Sequence, residues 1–449
     1  MRWFLALLTW VLLALSANAG QTWIVAADGS GDFLVVQQAI DAASPGDLIL
    51  VKPGSYPAFT VNKALTVVGS GENETICGTI AAVGVPSGHV VIASMRALDE
   101  NPFTADLSPN ATLSVWKVSL EVPAYLQWPV GSALAEFKGA FLNNVIQLYD
   151  PAAQTGNAMD PPEALQIVFS RNNFISQCSF HAWDLYEWGS WPGGSGILLW
   201  YDARAYIAET DSIGGRGAKG YLSDECYVSH KGGRGGAGIL LERSDLPEYG
   251  PCEAYIFGRP SNVILGGPGG IGDKVISYCD IGEGGDGGIG IQVNPGGGYA
   301  SYSGVVPQGG PGGEGHPPGS PGPPIWGNID RIVPPLPTST MEGDGKPGTT
   351  VTFSFHGTSG DQVSLVYSTL PDVLWLRAFE GHPLIASPAG VFGVVPIGTI
   401  DDSGTKSVSF TVPTDAAPGV ALYVQGVHMG AHPPQITNMS MVVTTPVWQ

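Results

Sequence analysis

The sequence predicts an all-β protein that begins as a parallel β-helix with a short capping helix and ends in an antiparallel β-sandwich. Three observations lead to this prediction. Short β-rich runs recur after residue 47 with only tight turns between them, so no helical crossover joins them. One amphipathic helical pattern, Asp32 to Ala43, precedes these runs. Glycine-rich strings recur further along the chain, as expected of a repeating architecture.

The predicted helix is amphipathic and has a clear end. Val36 and Ile40 are four residues apart on one apolar face. Ser44-Pro45-Gly46 ends the helix, because proline cannot continue it and glycine allows a left-handed exit. The first β-rich runs then follow at Leu48–Val51, Phe59–Val61 and Leu65–Val68. We therefore expect a coiled parallel sheet whose open end is covered by the helix.

This stretch resembles the opening of a known family. The strings DGSGDF, QQAIDAA, ILVKPGSY and LTVVGSG, between Asp28 and Gly71, resemble the N-terminal part of pectinesterases. More broadly, they resemble the right-handed β-helix proteins of the pectin-lyase type. The resemblance covers only the first part of the mature chain, and it implies a right-handed, single-stranded parallel β-helix. A fold hosts many activities, so the function has to be inferred from a site.

The resemblance does not imply an intact pectinesterase site. Pectinesterases carry a catalytic aspartate in a strand of the type Asp-Phe-Ile-Phe-Gly. The most similar string in this chain is Ala254-Tyr255-Ile256-Phe257-Gly258, with alanine at the aspartate position. Alanine can neither attack an ester nor hold a proton.

Composition divides the chain into four regions. Residues 1–19 have the positive end, apolar run and small-residue cleavage site of a signal peptide. We assign residues 22–306 to the β-helix and residues 307–337 to a Gly/Pro-rich linker. Residues 338–449 contain strand-like segments separated by turns, which predicts an antiparallel β-sandwich. These segments are Thr349–His356, Gln362–Tyr367, Val391–Pro396, Thr405–Val412, Val420–Val427 and Ile436–Val443.

The charge balance limits the possible partners. The chain has 19 Lys and Arg residues against 39 Asp and Glu residues, a formal net charge of −20. Nucleic acids and anionic membranes are bound by basic surfaces, so neither is expected as a partner. After the signal peptide no apolar segment approaches membrane-spanning length, so no membrane insertion is expected. We predict a secreted protein, extracellular or at the cell surface; its oligomeric state is left open.

Glycine strings mark an internal repeat. Gly-Gly-x-Gly-Ile occurs three times, beginning at Gly193, Gly235 and Gly287, and an apolar run follows each copy. Ala-Tyr-Ile recurs at 205–207 and 254–256. We interpret the glycines as sharp corners of the coils, because glycine adopts backbone angles that other residues cannot. The sequence leaves open whether each period is one enlarged coil or two ordinary ones.

The five cysteines are an odd number, so at least one has no partner within the chain. Cys178, Cys226 and Cys279 each closely follow an apolar residue and a serine, and we predict that they stack as a buried row in successive coils. Catalytic or zinc-binding thiols are the alternative, although the chain offers no close Cys-x-x-Cys pair.

An aromatic cluster is the predicted carbohydrate-binding site. Tryptophan and tyrosine are concentrated just before and just after the first glycine string, with acidic neighbours. Flat rings of this kind suit stacking on sugar faces, by extension from ring-stacking physics; the alternative is a loop that packs its rings onto its own coil. The predicted site residues are Trp183, Tyr186, Trp188, Trp191, Trp200 and Tyr201.

Catalytic and metal-binding residues are less clearly indicated. A glycosidase needs two carboxylates roughly 5 to 9.5 Å apart, and the candidates here are Asp202, Glu209, Asp211, Glu242 and Asp280. No metal site or cofactor is predicted, and Glu283 and Asp286 are the candidate ligands if calcium binds. The expected function is binding of extracellular polysaccharide. A lyase or hydrolase of the same fold and a non-catalytic surface, matrix or adhesion protein are the alternatives.

Overall fold

The computed structural model of the 449-residue chain is nearly all β, with both parallel and antiparallel sheets. The residues that it describes are 20–99, 102–108, 110–121, 134–137, 139–142, 146–148, 164–168, 173–182, 192–220, 231–243, 250–272, 282–374, 376–385, 390, 392–430 and 433–448. The predicted signal peptide lies outside these residues. Within them, no helix is long and apolar enough to cross a membrane.

The first part of the chain contains one described helix, α1 (Val36–Ala42), and a long series of short strands. These strands are β1 (Thr22–Val25), β2 (Leu48–Val51), β3 (Gly54–Tyr56), β4 (Phe59–Val61), β5 (Thr66–Val68), β6 (Thr75–Cys77), β7 (Ile80–Val85), β8 (Gly88–Leu98), β9 (Phe103–Leu107), β10 (Ala111–Glu121), β11 (Leu134–Phe137), β12 (Gly139–Leu142), β13 (Ile146–Leu148), β14 (Leu165–Val168), β15 (Asn173–Ser176), β16 (Ser179–His181), β17 (Ile197–Trp200), β18 (Arg204–Ala208), β19 (Asp211–Ile213), β20 (Ile239–Leu241), β21 (Cys252–Phe257), β22 (Ile264–Leu265), β23 (Ile291–Val293), β24 (Gly298–Ser303), β25 (Ile325–Trp326) and β26 (Ile329–Arg331).

Most of these strands pair in parallel with the equivalent strand of the next turn of chain. One sheet contains the series β2, β5, β8 and β10, and later β15, β18, β21, β24 and β26. A second sheet contains β4, β7 and β9, and later β14, β17, β20, β23 and β25. Apolar side chains from both sheets point inward and form one core. This pairing is compatible with a parallel β-helix.

Two features differ from the predicted regular β-helix. Strands β11, β12 and β13 run antiparallel to their neighbours on both sides, so one turn of chain winds back against the others. Helix α1 is not seen as an N-terminal cap. It lies instead in the connection between the adjacent parallel strands β1 and β2, and it buries Val36, Ala39 and Ile40.

The repeat period is one enlarged coil. Ala205 of β18 is the register partner of Ala254 of β21, and Ala254 is the partner of Ala300 of β24. The glycine strings lie between the strands of each turn of chain and make the turn longer than an ordinary one. Cys178 is buried, but its backbone N–H donates to Thr210 Oγ1 in the adjacent coil at 3.3 Å. The pairing of β15 with β18 places Thr210 at the position equivalent to Cys178 in the next turn of chain. The predicted row of stacked cysteines therefore does not continue at this position. Cys226 and Cys279 lie outside the described residues.

The glycine strings form seven extended rows of chain, which we call the glycine array. Rows 1, 3, 5 and 7 lie in one layer and rows 2, 4 and 6 in a second layer. Within a layer, Gly214, Gly217 and Gly220 of row 2 donate to carbonyl oxygens of row 4 at 2.9 to 3.0 Å. A donor at every third residue is the period of a polyproline II-like chain. The rows are 192–196, 213–220, 231–238, 265–272, 282–290, 308–315 and 316–324, numbered in chain order.

Close backbone approach explains why the array needs glycine. A Cβ atom at Gly236 would lie 1.9 Å from the carbonyl oxygen of Gly194, and one at Gly285 would lie 1.9 Å from that of Gly233. No glycine of the array has φ in the left-handed region. The interpretation of these glycines as conformational corners is therefore wrong, because the neighbouring backbone and not the backbone angle excludes a side chain. Residues 308–324, which are part of the predicted linker 307–337, form the last two rows.

The second part of the chain forms mainly antiparallel sheets, compatible with the predicted β-sandwich. Each predicted segment overlaps at least one strand, and Val408, Phe410 and Val412 face inward or partly inward as expected. The strands are β27 (Thr338–Glu342), β28 (Thr350–His356), β29 (Gln362–Ser368), β30 (Val373–Leu374), β31 (Glu380–Gly381), β32 (Leu384–Ile385), β33 (Phe392–Thr399), β34 (Thr405–Thr411), β35 (Ala421–Met429), β36 (Gln435–Ile436) and β37 (Ser440–Val443).

The two parts share an apolar interface. Outward-facing side chains of the parallel sheet, such as Trp116 and Tyr206, join the same buried cluster as Phe355 and Tyr423 of the antiparallel sheets. Polar contacts fix the register: the Tyr423 hydroxyl lies 2.8 Å from Ser114 Oγ and 2.9 Å from His89 Nε2. Burial of this interface holds the antiparallel sheets on the outer face of the parallel part.

Left-handed residues at one bend add to this interface. Gln177 and Glu209 both have positive φ, at 54° and 48°, and occupy equivalent places in adjacent coils. The Gln177 amide binds the backbone of Met341, accepting from its N–H at 2.8 Å and donating to its carbonyl at 3.1 Å. Glu209 accepts from Thr338 Oγ1 and pairs with Arg259. The bend thus presents two side chains to strand β27.

Substitution of one glycine of the array tests its packing. Gly236→Ala should lower the free energy of unfolding by about 3 kcal/mol or more, because two backbone segments would have to separate to admit the methyl group. Arg234→Ala, at an exposed position of the same row, should change it by less than about 0.5 kcal/mol. Chemical denaturation of both variants measures the difference; equal stabilities would contradict the packing argument.

Buried histidines predict acid sensitivity. His382 packs against Phe257 with ring centroids 4.4 Å apart, and neither ring nitrogen has a hydrogen-bond partner among the described residues. Burial lowers the pKa of His382 from 6.5 to about 3. Between these pH values the unfolded chain binds a proton that the folded chain does not, so the free energy of unfolding falls as the pH decreases through this window.

His382→Phe removes this proton uptake. The slope of unfolding free energy against pH, measured by denaturant titrations between pH 6 and pH 4, should decrease by up to about 1.4 kcal/mol per pH unit. Phe392→Leu, at a position that is 45% exposed and carries no ionisable group, is the control and should leave the slope unchanged. An unaltered slope in His382→Phe would show that His382 is protonated in the folded protein.

Candidate functional site

The turns that connect the two parallel sheets line a groove, which we call the bend groove. They follow β20, β23 and β25 and lead into β21, β24 and β26, so they stack along one bend of the parallel part. The groove has a volume of about 700 Å³. The side chains that give it chemical character are Glu253, Tyr255, Asn294, Tyr299, Trp326 and Asn328.

Strand alternation places two of these residues. In β21, Cys252, Ala254 and Ile256 are buried inside the coil, while Glu253 and Tyr255 point outward. Parallel pairing then aligns Glu253 with Arg204 of the preceding coil and with Tyr299 of the next one. A row of polar and aromatic groups therefore crosses the coils beside the groove.

Glu253 is held between two donors. Arg204 Nη2 donates to Glu253 Oε1 at 2.6 Å, and the Tyr255 hydroxyl donates to Glu253 Oε2 at 2.7 Å. Burial, together with the adjacent Glu253, raises the pKa of Tyr255 to about 12. Tyr255 therefore stays a neutral hydroxyl donor at any physiological pH. The result is a fixed carboxylate acceptor in the wall of the groove.

A second polar network forms the floor. Asn294 Nδ2 donates to Glu242 Oε2 at 2.6 Å, and Asn294 Oδ1 accepts from Gln292 Nε2 at 2.6 Å. The Tyr299 hydroxyl donates to Asp330 Oδ2 at 3.3 Å, and burial raises the pKa of Tyr299. Networks of this kind hold their members in one orientation, so hydroxyl groups of a ligand would meet preformed partners.

An exposed indole lies at the end of the groove. Trp326 is in β25, which pairs with β23 and has no described strand on its other side. Its side chain is 44% exposed, and the preceding Ile325 is 38% exposed. An aromatic ring beside fixed hydrogen-bonding groups is a common arrangement in small-molecule and carbohydrate sites.

Two of the predicted site residues lie on the flank of this groove. Trp200 and Tyr201 stack with ring centroids 4.2 Å apart, and Trp200 Nε1 donates to the carbonyl oxygen of Arg243 at 3.2 Å. Arg243 in turn lies against Gly296, which lines the groove. The other four predicted residues, Trp183, Tyr186, Trp188 and Trp191, lie outside the described residues.

The candidate carboxylates are distributed over different surroundings. Glu209 is buried and paired with Arg259 beside strand β27. Asp211 accepts a hydrogen bond from the Val263 N–H at 2.7 Å, and Asp202 has φ of 61° in the turn after Tyr201. Of the candidates that the structure describes, only Glu242 contributes to the groove network. Asp280 lies outside the described residues.

The candidate calcium ligands have other partners. Asp286 pairs with Lys231 at 3.2 Å and accepts from the Ser320 N–H at 2.9 Å. Glu283 is exposed on the neighbouring part of row 5. Among the residues that the structure describes, no group of three or more His, Cys, Asp or Glu side chains could hold a metal ion.

Two further positions bear on catalysis. Ala254, at the place of the pectinesterase aspartate, is fully buried between Ala205 and Ala300 inside the coil. The Cys252 thiol borders the groove but is 1% exposed, and burial raises its pKa to about 11. Neither position presents a nucleophile to the groove at neutral pH.

Comparison with known proteins gives no assignment: no family model, no curated protein and no solved structure matches this chain.

Sequence reasoning missed most of the bend groove. Glu253, Tyr255, Tyr299, Trp326 and Asn328 come from three coils and are separated by glycine rows of unequal length. One usable signal was present, because the recurring Ala-Tyr-Ile string fixes which residues of β18 and β21 point outward. Extending that alternation to the flanking residues identifies Arg204 and Glu253.

The buried thiol gives a test of this description. With a pKa of about 11, only about one Cys252 thiol in a thousand is ionised at pH 8, and the side chain is shielded from reagents. Thiol labelling of the folded protein at pH 8 should therefore follow the same time course in wild type and in Cys252→Ala. After denaturation the variant should bind one equivalent less. Loss of a fast native phase in the variant would contradict the burial of Cys252.

Proposed function

We propose that this is an extracellular, right-handed parallel β-helix protein of the pectin-lyase type that binds polysaccharide in the bend groove. The observation that carries the proposal is an exposed indole, Trp326, beside the fixed polar groups of Glu253, Asn294 and Tyr299. The groove is lined by residues of three successive turns of chain, so an extended polymer could contact several of them at once. The signal-peptide pattern at residues 1–19 supports export.

The charges of the groove favour a neutral glycan. Glu253 lines the groove, and Glu242 and Asp330 bind its lining residues Asn294 and Tyr299. These three carboxylates outnumber the nearby cations, since Arg204 is already engaged by Glu253 and Arg243 lies beside Gly296. The chain as a whole has a formal net charge of −20. A polyuronate such as pectate would meet like charge in the groove and over the surface, which opposes binding. Neutral polymers with many hydroxyl groups fit the acceptors and donors present.

The ring residues supply the test. Replacement of Trp326 and Tyr299 together by alanine should weaken binding about five- to 150-fold, because ring contacts contribute about 0.5–1.5 kcal/mol each. A glycan array identifies the polymer, and calorimetry then measures the affinities of both proteins. Neutral polymers should bind more tightly than polygalacturonate at low salt.

Two controls make the result specific. Phe392→Ala removes a ring that is 45% exposed in strand β33 and should leave the affinity unchanged. Unfolding midpoints of all variants show whether the fold is retained. Unchanged binding in the folded double variant would place the glycan elsewhere, and the predicted aromatic cluster, which includes Trp188 and Trp191, would be tested next. Binding of no glycan, neutral or charged, would refute the proposal. The lyase or hydrolase alternative stays a prediction, tested by release of reducing ends from the same polymers.

A further inference from the structure

The last rows of the glycine array end in two different ways. In the inner rows, every third residue donates outward to the next row of its layer: Gly284, Gly287 and Gly290 of row 5 donate to Pro317, Ser320 and Pro323 of row 7. The equivalent outward positions of row 7 are Pro318, Pro321 and Pro324. Proline has no N–H, so this layer ends without an unsatisfied donor.

The other layer ends without such protection. Gly266, Gly269 and Gly272 of row 4 donate outward to Gln308, Pro311 and Glu314 of row 6 at 2.6 to 2.9 Å. The equivalent outward positions of row 6 are Gly309, Gly312 and Gly315. Their N–H groups have no hydrogen-bond acceptor within the described part of the chain. The partly exposed donors therefore recur at every third residue along the edge.

Acceptors lie beside these donors. In the preceding pair of rows, the carbonyl oxygens of Gly285 and Gly288 accept from Gly313 and Gly310 of row 6. Their equivalents in row 7 are Gly319 and Gly322, whose carbonyl oxygens accept no backbone hydrogen bond from the described residues. We call these five glycines, Gly309, Gly312, Gly315, Gly319 and Gly322, the open edge. It has the donors and acceptors that an eighth row would use.

We propose that the open edge binds one extended, polyproline II-like peptide segment of another protein, with glycine at every third residue. The segment would continue the established row-to-row packing. Its non-glycine carbonyls would accept from Gly309, Gly312 and Gly315, and its glycine N–H groups would donate to Gly319 and Gly322. The segment needs glycine at each position that faces row 6. Gly310 of row 6 faces row 4 in the same way, and a Cβ atom there would lie 2.0 Å from the carbonyl oxygen of Gly267.

Row 7 shows which other residues such a segment tolerates. It has glycine only at Gly319 and Gly322, with serine and proline between them, and it still completes the array. A second copy of this chain is a poor occupant, since its formal net charge of −20 would oppose close association. The exposed Glu314 beside the edge likewise favours a neutral or basic partner.

Amide hydrogen exchange tests the proposal on the full-length protein. The probe is a short (Gly-Ser-Pro) repeat peptide, and the control is the (Ala-Ser-Pro) repeat. In the free protein labelled at glycine, Gly309, Gly312 and Gly315 should exchange fast, while Gly310 and Gly313, which donate inward, should be protected. The glycine peptide should slow the first three by at least tenfold and leave the other two unchanged. The alanine peptide should bind at least about tenfold more weakly.

Three results would overturn the proposal. Protection of Gly309, Gly312 and Gly315 in the free protein at all concentrations would mean that this chain covers its own edge. Protection that rises with protein concentration would assign the edge to a second copy. Equal affinity for the two peptides would show that the edge does not require glycine at every third residue of the bound peptide. The peptide is varied instead of the protein because a substitution in row 6 would disturb the array itself. A Cβ atom at Gly312, for example, would lie 1.9 Å from the carbonyl oxygen of Gly319.

Discussion

The requirement that every buried backbone N–H and C=O finds a partner governs this structure. In the strands, these groups bond to the strand of the neighbouring turn of chain. Ala205, Ala254 and Ala300 are therefore register partners in three successive parallel strands. In the glycine array there is neither helix nor ordinary sheet, so the chains approach until their backbones bond directly. Side chains are excluded there by distance, which explains why the rows of the array are rich in glycine.

The same requirement explains what the sequence could predict. Alternation of apolar residues reports which side of a strand is buried, so Thr405–Val412 and the other long strands after Thr349 were predicted, whereas β27 and the two-residue strands β30 to β32 were not. The helical pattern was also real, although the helix connects two parallel strands instead of capping a coil. Such local patterns carry information about neighbours that are near in sequence.

Contacts between distant rows leave no comparable local pattern. The sequence does not distinguish a glycine that allows another backbone to approach from a glycine that forms a turn. Gly236 was therefore interpreted as a corner, although it packs against a neighbouring row. The reversed strands β11–β13 are likewise invisible to periodicity, because alternation is identical in parallel and antiparallel pairing. The bend groove was missed for a related reason: its residues meet only when coils of unequal length are stacked in register.

The interface between the two parts combines apolar burial with specific polar contacts. Trp116 and Tyr206 contribute area, while Gln177 and Tyr423 fix the register through hydrogen bonds. The left-handed backbone at Gln177 aims its amide at strand β27. Strand β27 is thereby attached to this bend, and the antiparallel sheets cover outward-facing side chains of the parallel sheet.

The near absence of side chains inside the array has a thermodynamic consequence. Exposure of apolar surface on unfolding raises the heat capacity, whereas exposure of polar backbone lowers it. Unfolding of rows that are joined by backbone hydrogen bonds therefore contributes little to the heat-capacity change of unfolding, in contrast to unfolding of a hydrophobic core. The stability of this region should depend only weakly on temperature, and it should not share the weakening that hydrophobic cores undergo on cooling.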